Sequence, residues 1–559
     1  MLSGSVSILS FSRIKRQSSL VQKITQFISN HPRWIAFVAG AASATGFAPL
    51  NLWPVTLVCF ALFIHLVAQA ETGKRAALIG WLFGVGHFTI GNNWIAVAFT
   101  FQATMPAWLG WIAVLAVGLF LAVYPTMCAL GAWWIGRRVG DPNNGVSLPL
   151  ILAFAGSWII TEWLRSWVFT GFAWNPLAIV TVPAAAMPAM WVGTYGLSGL
   201  VIILSAMLLL AFKRSWRELA WLGITLISLW VGPMLGSVTY YGNRSVAEHY
   251  GVGLGNITVV QPNRPQNEKD APGYQDINFA KLATNSYPLP GQGPRLILWS
   301  EDALPDYLED GYPYRFYQFQ PGESAAGART RLTTLMGEGD ILLMGSNRLV
   351  IDKNGQMAAA RNSMTAMDAR GRLLGHYDKA HLVPYGEYLP LKWLLTPLGL
   401  SRLVPGNVDF LPGPGPQTMT LSLDGKPVKV GLQICYEIIF SGQVIDRKNR
   451  PDFIFNPSND SWFGTVGPPQ FLAQARLRAI EEGLPVVRAT PTGISAVIDA
   501  DGRVVESVPH RTAGRIDAQL PVAKAPTLFS RYGNILPVGF ALLLIAFALL
   551  PLARRQTSR

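Results

Sequence analysis

The chain has 559 residues, of which 50% are hydrophobic and only 14% charged, and its mean hydropathy is +0.29. That balance exceeds what a wholly water-soluble chain carries, so part of it belongs in lipid. The net charge of +13 does not point to nucleic acid, because Lys and Arg fall in short clusters beside apolar runs rather than in one stripe interleaved with aromatics.

Residues 1–33 carry Arg13, Lys15, Arg16, Lys23 and Arg33 without a compact apolar stretch ending in a small-residue cleavage site, so they read as a cytoplasmic segment and not a removable signal peptide. Eight apolar segments then approach the roughly 20 helical residues needed to cross a hydrocarbon core. They lie near 34–48, 52–71, 77–99, 108–135, 149–168, 184–212, 218–237 and 534–553. Seven membrane helices are thus expected within 34–237, an extramembrane domain over 238–533, an eighth helix at 534–553 and a short tail at 554–559. Basic clusters follow every even-numbered segment: Lys74 and Arg75, then Arg137 and Arg138, then Lys213, Arg214 and Arg217, and finally Arg554, Arg555 and Arg559. Cytoplasmic loops retain Lys and Arg, so both termini are expected inside and 238–533 outside. A domain on that side needs chemistry that runs without cytosolic ATP.

Between about 245 and 525 charge returns to ordinary frequency, and short β-branched runs alternate with helical stretches. Strands are expected at 257–261, 296–300, 341–346, 428–434, 453–456 and 494–499, with the best helix at 469–482. This pattern reads as a layered α/β domain. The Pro/Gly-rich stretch 406–416 reads as a loop. Two other loops are unusually apolar: 388–404, which contains Trp393 and Leu394, and 306–321, which interleaves aromatics with charge. Such patches mark lipid, partner or lid contacts, or else cover the domain's own core.

Three chemically active residues stand where strands end. Glu301 lies in Trp299-Ser300-Glu301-Asp302, Lys379 in His376-Tyr377-Asp378-Lys379-Ala380-His381, and Cys435 in Gln433-Ile434-Cys435-Tyr436-Glu437. A thiol is nucleophilic as thiolate, so a carboxylate to take its proton and an ammonium to favour negative charge supply what acyl transfer requires. Each alone has a plainer reading, the cysteine as a small buried hydrophobe and the charges as solvated or paired surface groups. Cys59 and Cys128 sit in apolar spans and read as packing residues; the three cysteines form neither a C-x-x-C pair nor an even disulfide framework. The seven histidines make no metal-ligand cluster, and neither a metal nor another cofactor is expected. His376 and His381 read as loop residues beside Lys379. Glu162 and Arg165, three apart near the end of a membrane span, share a helix face and are expected to pair with each other, or else to contact a lipid headgroup directly.

At these motifs the sequence resembles the nitrilase, or carbon-nitrogen hydrolase, superfamily. The apolar segments around it, with His381-Leu382-Val383-Pro384-Tyr385-Gly386-Glu387 after the lysine, make it similar specifically to the apolipoprotein N-acyltransferases. The resemblance implies a polytopic α-helical membrane bundle of about eight spans joined to an α/β/β/α sandwich. It implies Glu301 as general base, Lys379 as oxyanion stabiliser and Cys435 as nucleophile, with Glu387 and Glu437 in support and Asn362, Tyr436 and Trp462 lining the pocket. Thr170-Gly171-Phe172-Ala173-Trp174 resembles the family's segment near the lipid entrance, where Gly171 and Trp174 would join Trp393 and Leu394. Ala173, and Ser300 before the glutamate, stand where the family commonly has proline. The implied activity moves an acyl chain from phospholipid, phosphatidylethanolamine by resemblance, through a cysteine thioester to the N-terminal amine of diacylglyceryl-cysteine lipoproteins at the bacterial inner membrane, with the catalytic domain on the periplasmic side. A membrane-tethered nitrilase or amidase that hydrolyses a lipidic amide or ester shares the triad. A transporter with an outer binding domain is a third reading, hinted at only by His87, Asn92 and Asn93 in the third span.

Overall fold

The computed structural model describes residues 26–101, 106–139, 145–242, 255–269, 273–398 and 409–557. The basic segment up to residue 25, the turn at 102–105, and parts of the 388–404 and 406–416 loops lie outside the described residues.

Helices stand at each expected apolar segment: Pro32–Ser43, Trp53–Gln69, Gly73–Gly91, Leu109–Leu121 followed by Val123–Val139, Leu148–Arg165, Ala189–Phe212, Trp216–Gly242 and Ile535–Thr557. Among the described residues, three stretches, Leu109–Val139, Leu148–Arg165 and Ala189–Phe212, are long and apolar enough to cross a membrane; Trp53–Gln69 and Ile535–Pro551 are apolar but shorter. Helix length therefore does not fix the number of crossings. The bundle core stacks Phe63 on Phe83, ring centroids 4.1 Å apart, with Phe154 edge-on to Phe63, Phe60 edge-on to Phe83 and Trp158 edge-on to Phe60. Without a hydrophobic force between helices in lipid, close backbone approach carries the packing. A Cβ on Gly40 would sit 2.0 Å from the Phe83 carbonyl oxygen, and one on Gly86 2.3 Å from that of Phe37, so glycine sets the contact between the first and third helices.

The region between residues 255 and 520 holds two six-stranded sheets. The first contains β1 (Asn256–Gln261), β2 (Arg295–Leu298), β3 (Ile341–Ile351), β4 (Met357–Asp368) and β5 (Leu373–Asp378). The second contains β6 (Thr418–Leu423), β7 (Lys426–Leu432), β8 (Phe453–Pro457), β9 (Val486–Ala489), β10 (Ser495–Ile498) and β11 (Val504–Val508). The last strand, β12 (Gly514–Gln519), returns to pair antiparallel with β1, giving the orders β12-β1-β2-β3-β4-β5 and β11-β10-β9-β8-β7-β6. Alternation along each strand builds the layers. Val259, Leu296, Leu298, Ile341 and Leu343 join the core shared with the second sheet, whereas Val260, Ile297, Leu342 and Met344 form a separate core with the helices Gln275–Thr284 and Ala325–Thr333. The helix Gly467–Glu482 has faces in two cores at once. Phe471, Ala475 and Ala479 pack with the sheets, while Ala473, Leu477 and Ile480 join the core of the membrane half.

Candidate active site

The three strand-end residues converge. Lys379 follows β5, Glu301 follows β2, and Cys435 opens a 3-10 turn, Cys435–Ile439, after β7. All three are buried. Cys435 has φ +51° although it is not glycine. A left-handed residue at a strand end turns the chain sharply, and it persists only where its surroundings over-determine it. Here Asn456 on β8 clamps the turn, its Nδ2 donating to the carbonyls of Gln433 at 2.6 Å and Cys435 at 3.2 Å.

Lys379 Nζ donates to Glu301 Oε1 and to Glu387 Oε1, both at 3.0 Å. Asn362 on β4 bridges the same two oxygens at 2.8 and 2.9 Å, and the Asn459 N–H donates to Glu301 Oε2 at 2.9 Å. Burial opposes ionisation of Glu301, but Lys379, the hydrogen bonds of Asn362 and Lys379, and the Cys435 thiol outweigh it and hold the carboxyl below its ordinary range. Burial likewise opposes charge on Lys379, and Glu301 and Glu387 together reverse it, so the ammonium lies well above its usual value. Burial, and then the negative Glu301, push the Cys435 thiol up. The resting site is therefore carboxylate, ammonium and neutral thiol.

Glu437 organises the loop behind the lysine. It accepts from Tyr377 Oη at 2.9 and 3.0 Å, the N–H groups of Ala380 and His381 at 2.7 and 3.1 Å, and the Ile434 N–H at 2.6 Å. Burial nevertheless pushes its carboxyl up to about 7, against the pull of those N–H groups and of Lys379. Glu387 Oε2 accepts the Val383 N–H at 2.8 Å, which closes the loop after the lysine.

The expected entrance residues divide. Gly171 has φ +70°, and its carbonyl accepts Tyr436 Oη at 3.1 Å, so the membrane half touches the residue next to the thiol. His381 stacks on Phe440 at 3.7 Å, with its Nε2 3.3 Å from the Thr170 carbonyl oxygen. Trp174 is fully buried between the halves, donating from Nε1 to Gln470 Oε1 at 2.9 Å and lying 4.5 Å from Trp94. Trp462 is half-buried, its ring 5.5 Å from Phe101. Trp393 and Leu394 are exposed, Trp393 by 76%. Glu162 and Arg165 pair at 3.7 Å and also hold the 172–177 loop, Arg165 Nη1 donating to the carbonyls of Phe172 and Trp174 and Glu162 accepting the Leu177 N–H. Sequence reasoning gave no role to Asn456, Asn459 and Tyr377, which act through hydrogen bonds to the Gln433 and Cys435 carbonyls, to Glu301 and to Glu437 respectively. Two of them stood beside a signal: Tyr377 lies two residues before Lys379 in the same motif, and Asn459 three residues before Trp462.

The family model described as "Apolipoprotein N-acyltransferase N-terminal domain" matches residues 39–207, and the "Carbon-nitrogen hydrolase" model matches residues 257–526. The apolipoprotein N-acyltransferase of Rhodopseudomonas palustris is 33% identical over 90% of this chain and 91% of its own. That of Bradyrhizobium diazoefficiens is 33% identical over 94% of this chain and 95% of its own. Among solved structures, an amidase from Nesterenkonia sp. is 18% identical, covering 48% of this chain and 90% of that one, with a TM-score of 0.29.

Proposed function

The chain belongs to the apolipoprotein N-acyltransferase family and is an acyltransferase of membranes acting on lipid and lipoprotein substrates, and on that premise we propose that it works by a two-step transfer through Cys435. One observation supports this most directly: a single buried ammonium, Lys379, is held 3.0 Å from each of two carboxylates, Glu301 and Glu387, and the buried Cys435 thiol is near enough to feel the charge of both Lys379 and Glu301. In the first step sulfur attacks the ester carbonyl of a phospholipid while Glu301 takes the thiol proton. The oxyanion forms beside Lys379 and the first N–H groups of the Cys435–Ile439 turn, where a helix supplies no acceptor of its own. Collapse expels lysophospholipid, which leaves with the proton from Glu301, and a thioester remains. In the second step the free α-amine of a diacylglyceryl-cysteine lipoprotein attacks, Glu301 takes the amine proton, and the departing thiolate recovers it as the amide forms. A thioester conserves enough acyl reactivity to make the amide without a nucleotide. The donor in this reading is phosphatidylethanolamine.

The rival, a tethered hydrolase, differs only in the second nucleophile. Purified protein loaded with phospholipid and then given a diacylglyceryl-cysteine peptide is expected to yield peptide amide. Release of free fatty acid at the same rate with and without the peptide would make it a hydrolase. Acetylating the peptide's amine is expected to leave the thioester standing.

Residues 1–33 and 554–559 are assigned to the cytoplasm, 34–237 and 534–553 to the inner membrane, and 238–533 to the periplasm, with Trp393 and Leu394 at the lipid boundary. The basic clusters after alternate apolar segments support this topology. A reporter enzyme active only in the periplasm should work when fused after residue 245 and fail after residue 559; the reverse result would invert the assignment.

Glu437 gives the first step its pH dependence. As pH falls through about 7 its carboxylate takes a proton and gives up an acceptor for the Ile434, Ala380 and His381 N–H groups, loosening the loops that carry Lys379 and Cys435. Glu301, held below its ordinary range, stays ionised there. Single-turnover acylation is expected to decline below about 7, and a decline only below pH ~4.5, the ordinary glutamate range, would remove Glu437 from this role.

A further inference from the structure

The helix Ala189–Phe212 is not continuous. Gly193 has φ +68° and ψ 176°, so a new helical segment starts at Thr194. A Cβ at Gly193 would sit 2.3 Å from the Phe529 ring, so the break is packed shut. The first N–H groups of a helical segment have no intrahelical acceptor, and that end favours negative charge. At Thr194 the acceptor comes from the catalytic domain. Glu481 Oε1 takes the Thr194 N–H at 2.5 Å and its hydroxyl at 2.6 Å. The same oxygen accepts Ser441 Oγ at 2.7 Å, and Ser441 lies two residues beyond the Cys435–Ile439 turn. Arg478, one helical turn back, pairs with Glu481 Oε2 at 3.1 Å and donates to the Thr194 hydroxyl. All four side chains are at most 1% exposed.

We propose that Glu481, with Arg478, is a positioning residue: it caps the broken membrane helix from the catalytic domain and ties it to the loop that follows Cys435, fixing where the thiol stands relative to lipid. The inference rests on Cys435 being the nucleophile. One carboxylate oxygen joins three backbones, those of the membrane helix, the Gly467–Glu482 helix and the nucleophile loop, and no atom of it reaches the thiol. At the other end of the Gly467–Glu482 helix, Gln470 Oε1 accepts from Trp174 Nε1 and from Asn175 Nδ2 at 3.0 Å, so this helix is clamped to the membrane half at both ends. An ester that arrives within the bilayer meets the thiol only in this register. A small electrophile arriving from water has no such requirement.

The test uses the full chain in vesicles of phosphatidylethanolamine and phosphatidylglycerol without acceptor. It measures single-turnover gain of acyl mass against lipid mole fraction, and alkylation of Cys435 by iodoacetamide on the same samples. The double variant Glu481→Gln/Arg478→Met removes both buried charges together at similar volume. It is expected to lower the maximal acylation rate at least about tenfold, because misplacement by about 1 Å costs up to ~10²-fold. Half-saturating lipid and the alkylation rate should stay within about twofold of wild type. Ser441→Ala leaves the ion pair intact and is expected to slow acylation by about threefold or more with alkylation unchanged. Acylation unchanged in both variants, or acylation and alkylation falling by one common factor, would overturn the proposal. If the double variant does not fold, Ser441→Ala decides by the same criteria. If wild type itself gains no acyl mass, the assignment of Cys435 as nucleophile fails instead.

Discussion

Cys435→Ala, reconstituted with phospholipid and no acceptor, is expected to gain no acyl mass, whereas the wild-type chain gains one acyl group that hydroxylamine removes. Only a covalent intermediate needs the sulfur; a lipid-binding site would tolerate its loss. Production of triacylated peptide should fall by roughly 10⁴ to 10⁶, as when one member of a cooperating nucleophile set is removed. The backbone supplies an independent control. Cys435 sits at φ +51°, a conformation that costs a side-chain-bearing residue on the order of 1–3 kcal/mol. Alanine keeps the Cβ and so keeps the strain, whereas Cys435→Gly relieves it. Both variants are expected to be inactive, with Cys435→Gly melting higher than Cys435→Ala in a thermal scan. Near wild-type product from Cys435→Ala would remove both the nucleophile and the two-step scheme.

The sequence made the chemistry more legible than the sheets. Glu301 and Cys435 each end an apolar run of the kind that reads as a strand, so the positions of their turns follow from hydrophobic pattern, whereas Lys379 follows the polar His376-Tyr377-Asp378 and was singled out by its motif. Periodicity also located every long apolar helix, because a lipid-facing helix needs uninterrupted apolar residues. It was silent on β4, whose Met-Ala-Ala-Ala-Arg-Asn-Ser sequence has helical rather than strand preference. That segment is extended because β3 pairs along its whole length, with β5 joining on the other side only from Ser363, a tertiary override of local propensity. Asn362, the bridge between two carboxylates, lies on that strand, so its geometry was hidden with it. Trp174 shows the opposite limit. Its neighbours in sequence are apolar and suggest lipid, but its partner Gln470 lies 296 residues away on a helix of the other half. No local pattern encodes a contact at that separation. Glu481 was likewise one more acidic residue at a helix end, and only the break at Gly193 gives its charge a purpose.

Replacing Lys379 and replacing Glu301 are both expected to abolish acylation, but by routes that stability separates. Glu301→Gln removes the base, so the thiol keeps its proton and the first attack slows by roughly 10² to 10⁴. The lysine still has Glu387 at 3.0 Å, and the amide can still accept a hydrogen bond, so the fold loses little. Lys379→Ala removes the cation beside the developing oxyanion, which alone costs at least about 10². It also leaves Glu301 and Glu387, both bridged by Asn362, as two buried carboxylates with their shared counter-ion gone. Breaking a buried pair in this way typically costs about 3–5 kcal/mol. Lys379 is the principal group holding Glu301 below its ordinary range, so without it burial prevails, the carboxyl rises and the base is lost as well. Thermal unfolding should therefore place Lys379→Ala well below Glu301→Gln, and its residual acylation should improve as pH is raised. Adding Glu387→Gln to Lys379→Met removes one of the stranded charges, and it is expected to recover stability while acylation stays lost. Recovery of acylation in that double variant would mean that the ammonium serves only to hold the two carboxylates together, and that the oxyanion is stabilised elsewhere.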